Sequence, residues 1–144
     1  MLKLNKETMD ARTRLAFLAL ILTQAAHSVE ESVFRLYDVF APARFLSSLV
    51  SDNLAAGFIV LNAALVLFGL WCYAARVRTG HGSARGWIWP WVVIEFGNGV
   101  GHTVMAVERG AYFPGAATAP ALLALSTFLA LRMTRLRRQG GPAT

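Results

Sequence analysis

The sequence predicts an all-α fold: a bundle of four transmembrane helices in up-down order, with both termini in the cytoplasm. The first observation behind this prediction is composition. Of the 144 residues, 56% are hydrophobic and only 15% are charged, whereas a soluble domain carries about 25% charged residues. A chain of this length has too small an interior to bury so much apolar surface, so we expect the lipid bilayer to surround it.

The second observation is the pattern of apolar segments. Residues 53–75 and 110–131 contain no charged residue, and residues 86–107 contain one, Glu95. Each exceeds the roughly 20 residues that a spanning helix needs. The first apolar run, residues 15–26, is shorter, so the first helix spans the membrane only if it includes the polar residues that follow. The sequence thus predicts one membrane domain with spans at about 11–34, 52–75, 87–107 and 117–134.

The third observation is the placement of the basic residues, which orients the bundle. With the N-terminus in the cytoplasm, eleven of the 14 Lys and Arg residues lie on the inner side and three, Arg35, Arg44 and Arg109, on the outer side. This bias follows the positive-inside rule. The net charge of +6 is therefore expected to contact anionic lipid headgroups, not nucleic acid. The basic tail, residues 135–144, is predicted to be disordered.

The first segment has an alternative explanation. Its basic start, its short apolar run and the small residues Ala25 and Ala26 also fit a cleaved signal peptide, and this alternative stays open.

Local signals set the helix ends. Asp52 is a suitable N-cap for the second helix. Pro90 is expected in the first turn of the third helix, where a missing N–H costs little. Gly97 and Gly101 have the spacing of closely packed membrane helices, within one chain or in a homo-oligomer.

The first helix carries a polar face. His27, Glu30 and Glu31 are spaced i, i+3 and i+4, so their side chains share one side of a helix. Two carboxylates and an imidazole here interrupt a run that is otherwise apolar. Each ionisable group in hydrocarbon costs about 2.5 to 3.5 kcal/mol, so these groups need partners.

The third helix carries a matching face, formed by Glu95, Asn98 and His102. At 1.5 Å per residue, His27 lies about 18 Å along the first apolar run and His102 about 22 Å along the third. Both imidazoles are therefore predicted to meet in the outer half of the bundle. Glu95 is expected about 10 Å deeper, with Asn62 of the second helix beside it.

Three explanations account for these groups. A divalent metal, such as zinc, iron or manganese, would bind His27, Glu30 or Glu31, and His102, as in carboxylate-bridged helical bundles. Alternatively, a protonated carboxyl would act with a His base without metal. The third is a hydrogen-bonded network that fixes helix packing. For Glu31 alone, an interfacial ion pair with Arg35 is a further alternative.

Three short motifs resemble those of the HXXEE-domain family of small bacterial membrane proteins. They are His-x-x-Glu-Glu at residues 27–31, Asn-x-x-x-His at 98–102 and Tyr-x-Pro-Gly at 112–115, in that order. The resemblance implies a bacterial inner-membrane protein in which His27, Glu30, Glu31, Asn98 and His102 form one site. It implies no reaction or substrate. Residues 112–115 also have the composition of a tight turn that would cover the site from outside.

The functional prediction is a metal-binding enzyme. The metal would activate water or a lipid-like or small apolar substrate. The predicted catalytic residues are Glu30, Glu31, Glu95 and Asn98, with Asn98 orienting a ligand and Glu95 carrying a proton. Two alternatives remain from the sequence: a metal-free acid–base enzyme of the isomerase type, and a non-catalytic protein that binds or transports an ion or small molecule.

Overall fold

The computed structural model describes residues 9–139, and this part of the chain is helical with no strand. The four long helices correspond to the four predicted segments, and the connection between the first two forms two short helices. The six helices are α1 (Ala11–Val33), α2 (Leu36–Val39), α3 (Ala41–Ser48), α4 (Leu54–Cys72), α5 (Ala84–Arg109) and α6 (Ala119–Gln139).

Helix α1 is capped by a side chain at its start and ends at a left-handed residue. Asp10 is its N-cap and accepts a hydrogen bond from the Thr13 N–H at 2.7 Å. Asp10 also pairs with Arg132 of α6. After α1, Arg35 adopts a left-handed conformation with φ 53° and pairs with Asp38 at 2.5 Å. The Glu31–Arg35 ion pair, one alternative from the sequence, is therefore wrong.

Helix α4 begins one residue later than predicted, because Asn53 and not Asp52 is its N-cap. The Asn53 side chain accepts from the Ala56 N–H at 3.1 Å. The helix continues through one π-helical turn, Tyr73–Val77. Among the described helices, this continuous stretch of 24 residues, Leu54–Val77, is the one long and apolar enough to cross a membrane, with a mean hydropathy of 2.2.

Helix α5 is longer than predicted at both ends, and helix α6 begins later and ends later than predicted. Helix α5 begins at Ala84, so Pro90 lies inside the helix and not in its first turn. It ends where Gly110 adopts φ 58°, a common helix C-terminus. Helix α6 runs to Gln139, so residues 135–139 are helical instead of a disordered tail. Residues 140–144 lie outside the described range.

The packing leaves a polar space between α1 and α5. Helix α1 packs between α4 and α6, and α5 packs along α6. Helices α4 and α5 contact each other through aromatic rings near their connecting loop. The ring centroids of Trp91 and Phe68 are 6.1 Å apart, and those of Trp87 and Trp71 are 5.6 Å apart. Trp91 is therefore buried in the core. At the opposite end, the loop 110–118 covers the space between α1 and α5.

Glycines set the close contacts between helices. A Cβ on Gly57 of α4 would overlap the Ser47 carbonyl oxygen of α3, and a Cβ on Gly99 would lie 2.8 Å from the Leu123 side chain of α6. Gly97 and Gly101 have open space around them. The helix contact that the sequence assigned to Gly97 and Gly101 is thus made within the chain by Gly99.

We expect Gly57→Ala to lower the free energy of unfolding by about 1 to 3 kcal/mol, because the added methyl group forces α3 away from α4. The measurement is thermal unfolding of the purified protein followed by circular dichroism. Gly97→Ala is the matched control, since its methyl group meets open space and alanine favours a helix by about 1 kcal/mol. An equal loss of stability in both variants would contradict this packing.

Candidate metal centre

Three buried side chains converge between α1, α5 and the loop 110–118. Glu31 Oε1 lies 3.3 Å from His27 Nε2 and 3.1 Å from His102 Nε2. The two imidazole rings are 4.6 Å apart, centroid to centroid, and almost perpendicular. The side-chain ligand atoms of the three residues all lie within 4.8 Å of one another. The structure thus brings together the two histidines that the sequence assigned to facing helices.

The Nδ1 atom of His102 determines the tautomer of this ring. It lies 2.6 Å from the Pro114 carbonyl oxygen. A carbonyl oxygen can only accept, so His102 Nδ1 carries the hydrogen. In the neutral ring, Nε2 therefore presents a lone pair, and that lone pair faces the carboxylate of Glu31.

His27 is fixed in the same way through Thr118. The Thr118 hydroxyl donates to Glu30 Oε2 at 2.6 Å, which uses its single hydrogen. The contact of 2.6 Å between His27 Nδ1 and Thr118 Oγ1 then requires the imidazole to donate. Among the described residues, the buried Nε2 atom of His27 has no hydrogen-bond partner. Its lone pair also faces Glu31.

Two imidazole lone pairs and a carboxylate oxygen thus meet without a hydrogen between them. With both rings neutral, a bound cation would compensate these three acceptors. Ligands of a tetrahedral zinc ion at about 2.0 to 2.1 Å lie about 3.3 Å from one another, which agrees with the 3.1 and 3.3 Å observed. A charge-assisted N–H···O bond is shorter, about 2.7 to 2.9 Å. His27, Glu31 and His102 could therefore hold a metal ion.

Glu30, predicted as a possible metal ligand, lies outside this group. Its carboxylate accepts from the Ala117 N–H at 2.9 Å, from the Thr118 N–H at 3.0 Å, from the Thr118 hydroxyl and from the Tyr112 hydroxyl. Partial burial and the nearby carboxylate raise the pKa of Tyr112 to about 12, so its phenol remains a donor. Because Glu30 lies three residues after His27 and Glu31 lies four, the two carboxylates point to different neighbours. Glu30 attaches the loop 110–118 to α1.

Gly115 covers the centre on the side of the loop 110–118. It adopts φ 93°, which favours glycine. A Cβ at this position would lie 2.5 Å from His102 Nδ1 and 2.6 Å from His27 Cε1. The backbone of the Tyr-x-Pro-Gly segment therefore lies directly against both imidazoles, and the predicted turn does cover the site.

Glu95 and Asn98 lie beside the centre in a second polar group. Glu95 is fully buried, and Asn98 Nδ2 donates to its Oε2 atom at 3.3 Å. The side-chain amide of Gln24 approaches the same oxygen to 2.6 Å. Asn62, predicted to lie beside Glu95, instead accepts from the Ser28 hydroxyl at 2.8 Å, and Ser28 in turn contacts Gln24 at 3.1 Å.

Sequence reasoning missed three residues that orient the site residues through hydrogen bonds. Thr118 holds His27, and Gln24 and Ser28 connect Glu95 to Asn62. Thr118 directly precedes α6, a position where threonine usually caps a helix, so the chain carried a signal for a structural role only. Gln24 lies on the polar stripe of α1, but an amide in that stripe does not show which carboxylate it contacts.

Comparison of the chain with protein-family models, with curated proteins and with solved structures returns no match.

We expect Glu30→Gln to loosen the loop 110–118 while α1 stays helical. An amide replaces one accepting oxygen by a donor, so at least one of four donors loses its partner, at a cost of about 1 to 3 kcal/mol. Amide hydrogen exchange at Ala117 and Thr118 measures the opening directly. Glu108→Gln, an exposed carboxylate on α5, is the control. Unchanged exchange in Glu30→Gln would show that Glu30 does not hold the loop.

Proposed function

We propose that this protein is a multi-pass protein of the bacterial inner membrane that binds a divalent metal ion and is a metal-dependent enzyme acting on a lipid-like or small apolar substrate. The metal ligands in this proposal are His27, Glu31 and His102. Two imidazoles and one carboxylate leave at least one coordination position open, as in catalytic zinc sites and in non-haem iron sites.

One observation carries the metal proposal: the Nδ1 atoms of both histidines are already committed to acceptors. Pro114 O and Thr118 Oγ1 hold the rings so that both Nε2 lone pairs converge on Glu31. Metal-ligating histidines typically donate their other N–H to a fixed acceptor in this manner. A packing network would instead place a donor opposite each acceptor.

The chain's own residues suit chemistry at such a centre. When bound, the metal would polarise a substrate oxygen or a water molecule as a Lewis acid. Glu31 would balance its charge, and Asn98 would orient a substrate group from the side chain next to Glu95. Glu95, buried near the centre and hydrogen-bonded to amides, would hold and return a proton. The loop 110–118 would exclude bulk water from above.

The surface of the bundle supports a membrane location for all four long helices. Their outward faces are apolar, and the polar side chains point inward: Leu15, Leu22, Val29 and Val33 of α1 are more than half exposed, whereas Gln24, His27 and Glu31 are buried. A water-soluble bundle has the opposite arrangement. Helices α1, α5 and α6 each have at least 21 residues, and α4 with its π-helical turn has 24, so each stretch is about 30 Å or longer.

The resemblance to the HXXEE-domain family supports the same residues. His27 and Glu31 come from its first motif, His102 from its second, and Gly115 from its third. Three motifs that are distant in the sequence are expected to share a function when their residues meet at one centre.

We expect the protein purified from cells to contain about one equivalent of zinc, iron or manganese. Elemental analysis by mass spectrometry measures it. His27→Ala, His102→Ala and Glu31→Gln should each lose most of the metal, because two remaining ligands bind it far more weakly. His81→Ala, which removes the third histidine, exposed in the α4–α5 loop and bonded to Ser83 at 2.9 Å, should retain it.

Gly115→Ala adds a test that leaves every ligand in place. Its methyl group pushes on both imidazoles, so metal content should fall while the helical signal persists. If wild type and His81→Ala are both free of metal after purification and after incubation with each ion, the metal proposal is wrong. The two lone pairs would then be shared with protons, and a His–Glu acid–base enzyme becomes the better reading.

We expect the connection after α1 to face outward and the α4–α5 loop to face the cytoplasm. In a Cys72→Ala background, which removes the single cysteine, cysteines placed at the exposed positions Asp38 and His81 report the two sides. A membrane-impermeant maleimide added to spheroplasts should label Asp38→Cys and spare His81→Cys until the membrane is opened. Labelling of both before opening would rule out a four-span topology.

A further inference from the structure

A groove of about 350 Å³ lies between α1 and α4. It is lined mainly by aliphatic side chains, including Val29 and Val33 of α1 and Ile59 and Val66 of α4. Val29, Val33 and Ile59 are more than half exposed, so the groove opens on the outer surface of the bundle. From Ala25 to Val33 it extends about 12 Å along the helix axis. On the proposed membrane location, on which this inference rests, helix α4 crosses the bilayer and this opening faces hydrocarbon.

Three polar side chains also line this apolar groove: Ser28, Ser32 and Asn62. The Ser32 hydroxyl donates to the Ser28 carbonyl at 2.7 Å, which leaves its oxygen able to accept. Asn62 Nδ2 donates to the Phe58 carbonyl at 3.0 Å. An amide on the path of lipid chains is costly unless all its hydrogen-bonding groups are paired.

Asn62 has an unpaired group in either state of its neighbours. If Glu95 is protonated, it donates to Gln24, Gln24 donates to Ser28, and Ser28 donates to the Asn62 oxygen. One N–H of Asn62 is then without a partner among the described residues. If Glu95 is ionised, the Gln24 amide turns to donate to it and accepts from Ser28. Ser28 then has no hydrogen for Asn62, and the Asn62 oxygen is left unpaired in addition to that N–H.

We propose that this groove is a second binding site, for a membrane-derived hydrocarbon chain that bears a hydroxyl group. A hydroxyl both donates and accepts. With Glu95 protonated, it can accept from the Asn62 N–H and donate to Ser32, and with Glu95 ionised, it can donate to the Asn62 oxygen. The hydrocarbon chain fills the aliphatic part of the groove. The site lies on a different face of α1 from His27 and Glu31, and it does not require a metal.

The occupant is tested with two photoactivatable probes, a long-chain alcohol with a diazirine in its chain and the matching alkane without the hydroxyl. The full-length protein in lipid vesicles is irradiated with each probe, and labelled peptides are mapped by mass spectrometry. We expect the alcohol to label the segments 25–33 and 59–66 preferentially. Asn62→Leu should reduce labelling by the alcohol about fivefold, the effect of losing one hydrogen bond, and leave labelling by the alkane unchanged.

A second variant tests the groove by filling it with a large side chain. Ala63→Trp should block labelling by both probes, whereas Leu67→Trp, on an exposed face of the same helix, should not. Protein stripped of metal with a chelator should be labelled like untreated protein, so failure of the metal proposal leaves this result unaffected. Even labelling of all exposed helix faces, equal effects of Asn62→Leu on both probes, or cross-links between two protein copies in the groove would each overturn the proposal.

Discussion

The structure depends on the hydrogen bonds that hold the two imidazoles by their Nδ1 atoms. His102 donates to the Pro114 carbonyl and His27 to the Thr118 hydroxyl, both at 2.6 Å. These two acceptors lie in the loop 110–118, so the same segment fixes both rings. With each Nδ1 atom donating, each Nε2 atom presents a lone pair when its ring is neutral. In the neutral rings, the two lone pairs then converge on Glu31.

The adjacent carboxylates Glu30 and Glu31 divide two tasks. Glu31 lies between the imidazoles inside the bundle, while Glu30 accepts four hydrogen bonds from the loop above. Through Thr118, Glu30 also contributes to the orientation of His27. Loop position and ring orientation are therefore coupled, since a shift of Thr118 changes both. Gly115 completes this arrangement because only a residue without a side chain allows the backbone to lie against both rings.

The bundle contains a polar interior within an apolar exterior. Beside the centre, a series of hydrogen bonds connects Glu95 to Gln24, then to Ser28 and then to Asn62. This series ends at the groove between α1 and α4. In low-dielectric surroundings each of these groups depends strongly on its partner. The charge state of Glu95 therefore determines whether the Asn62 oxygen is paired at the groove. This connection offers a physical route by which a ligand in the groove influences the buried carboxyl.

The sequence by itself determined the four long helices and the meeting of His27 with His102, because periodicity places residues on one face and the rise per residue sets their height. The sequence also predicted Glu31 as a possible metal ligand and a tight turn at residues 112–115 that covers the site. Only the tertiary structure decided that Glu31 and not Glu30 joins the histidines, because neighbouring positions on a helix differ by about 100° and only the packing of α1 against α5 and α6 selects one. The same holds for Thr118, Gln24 and Asn62. Their roles depend on hydrogen bonds between distant helices, and the direction of a donor or acceptor is set by where the partner helix lies.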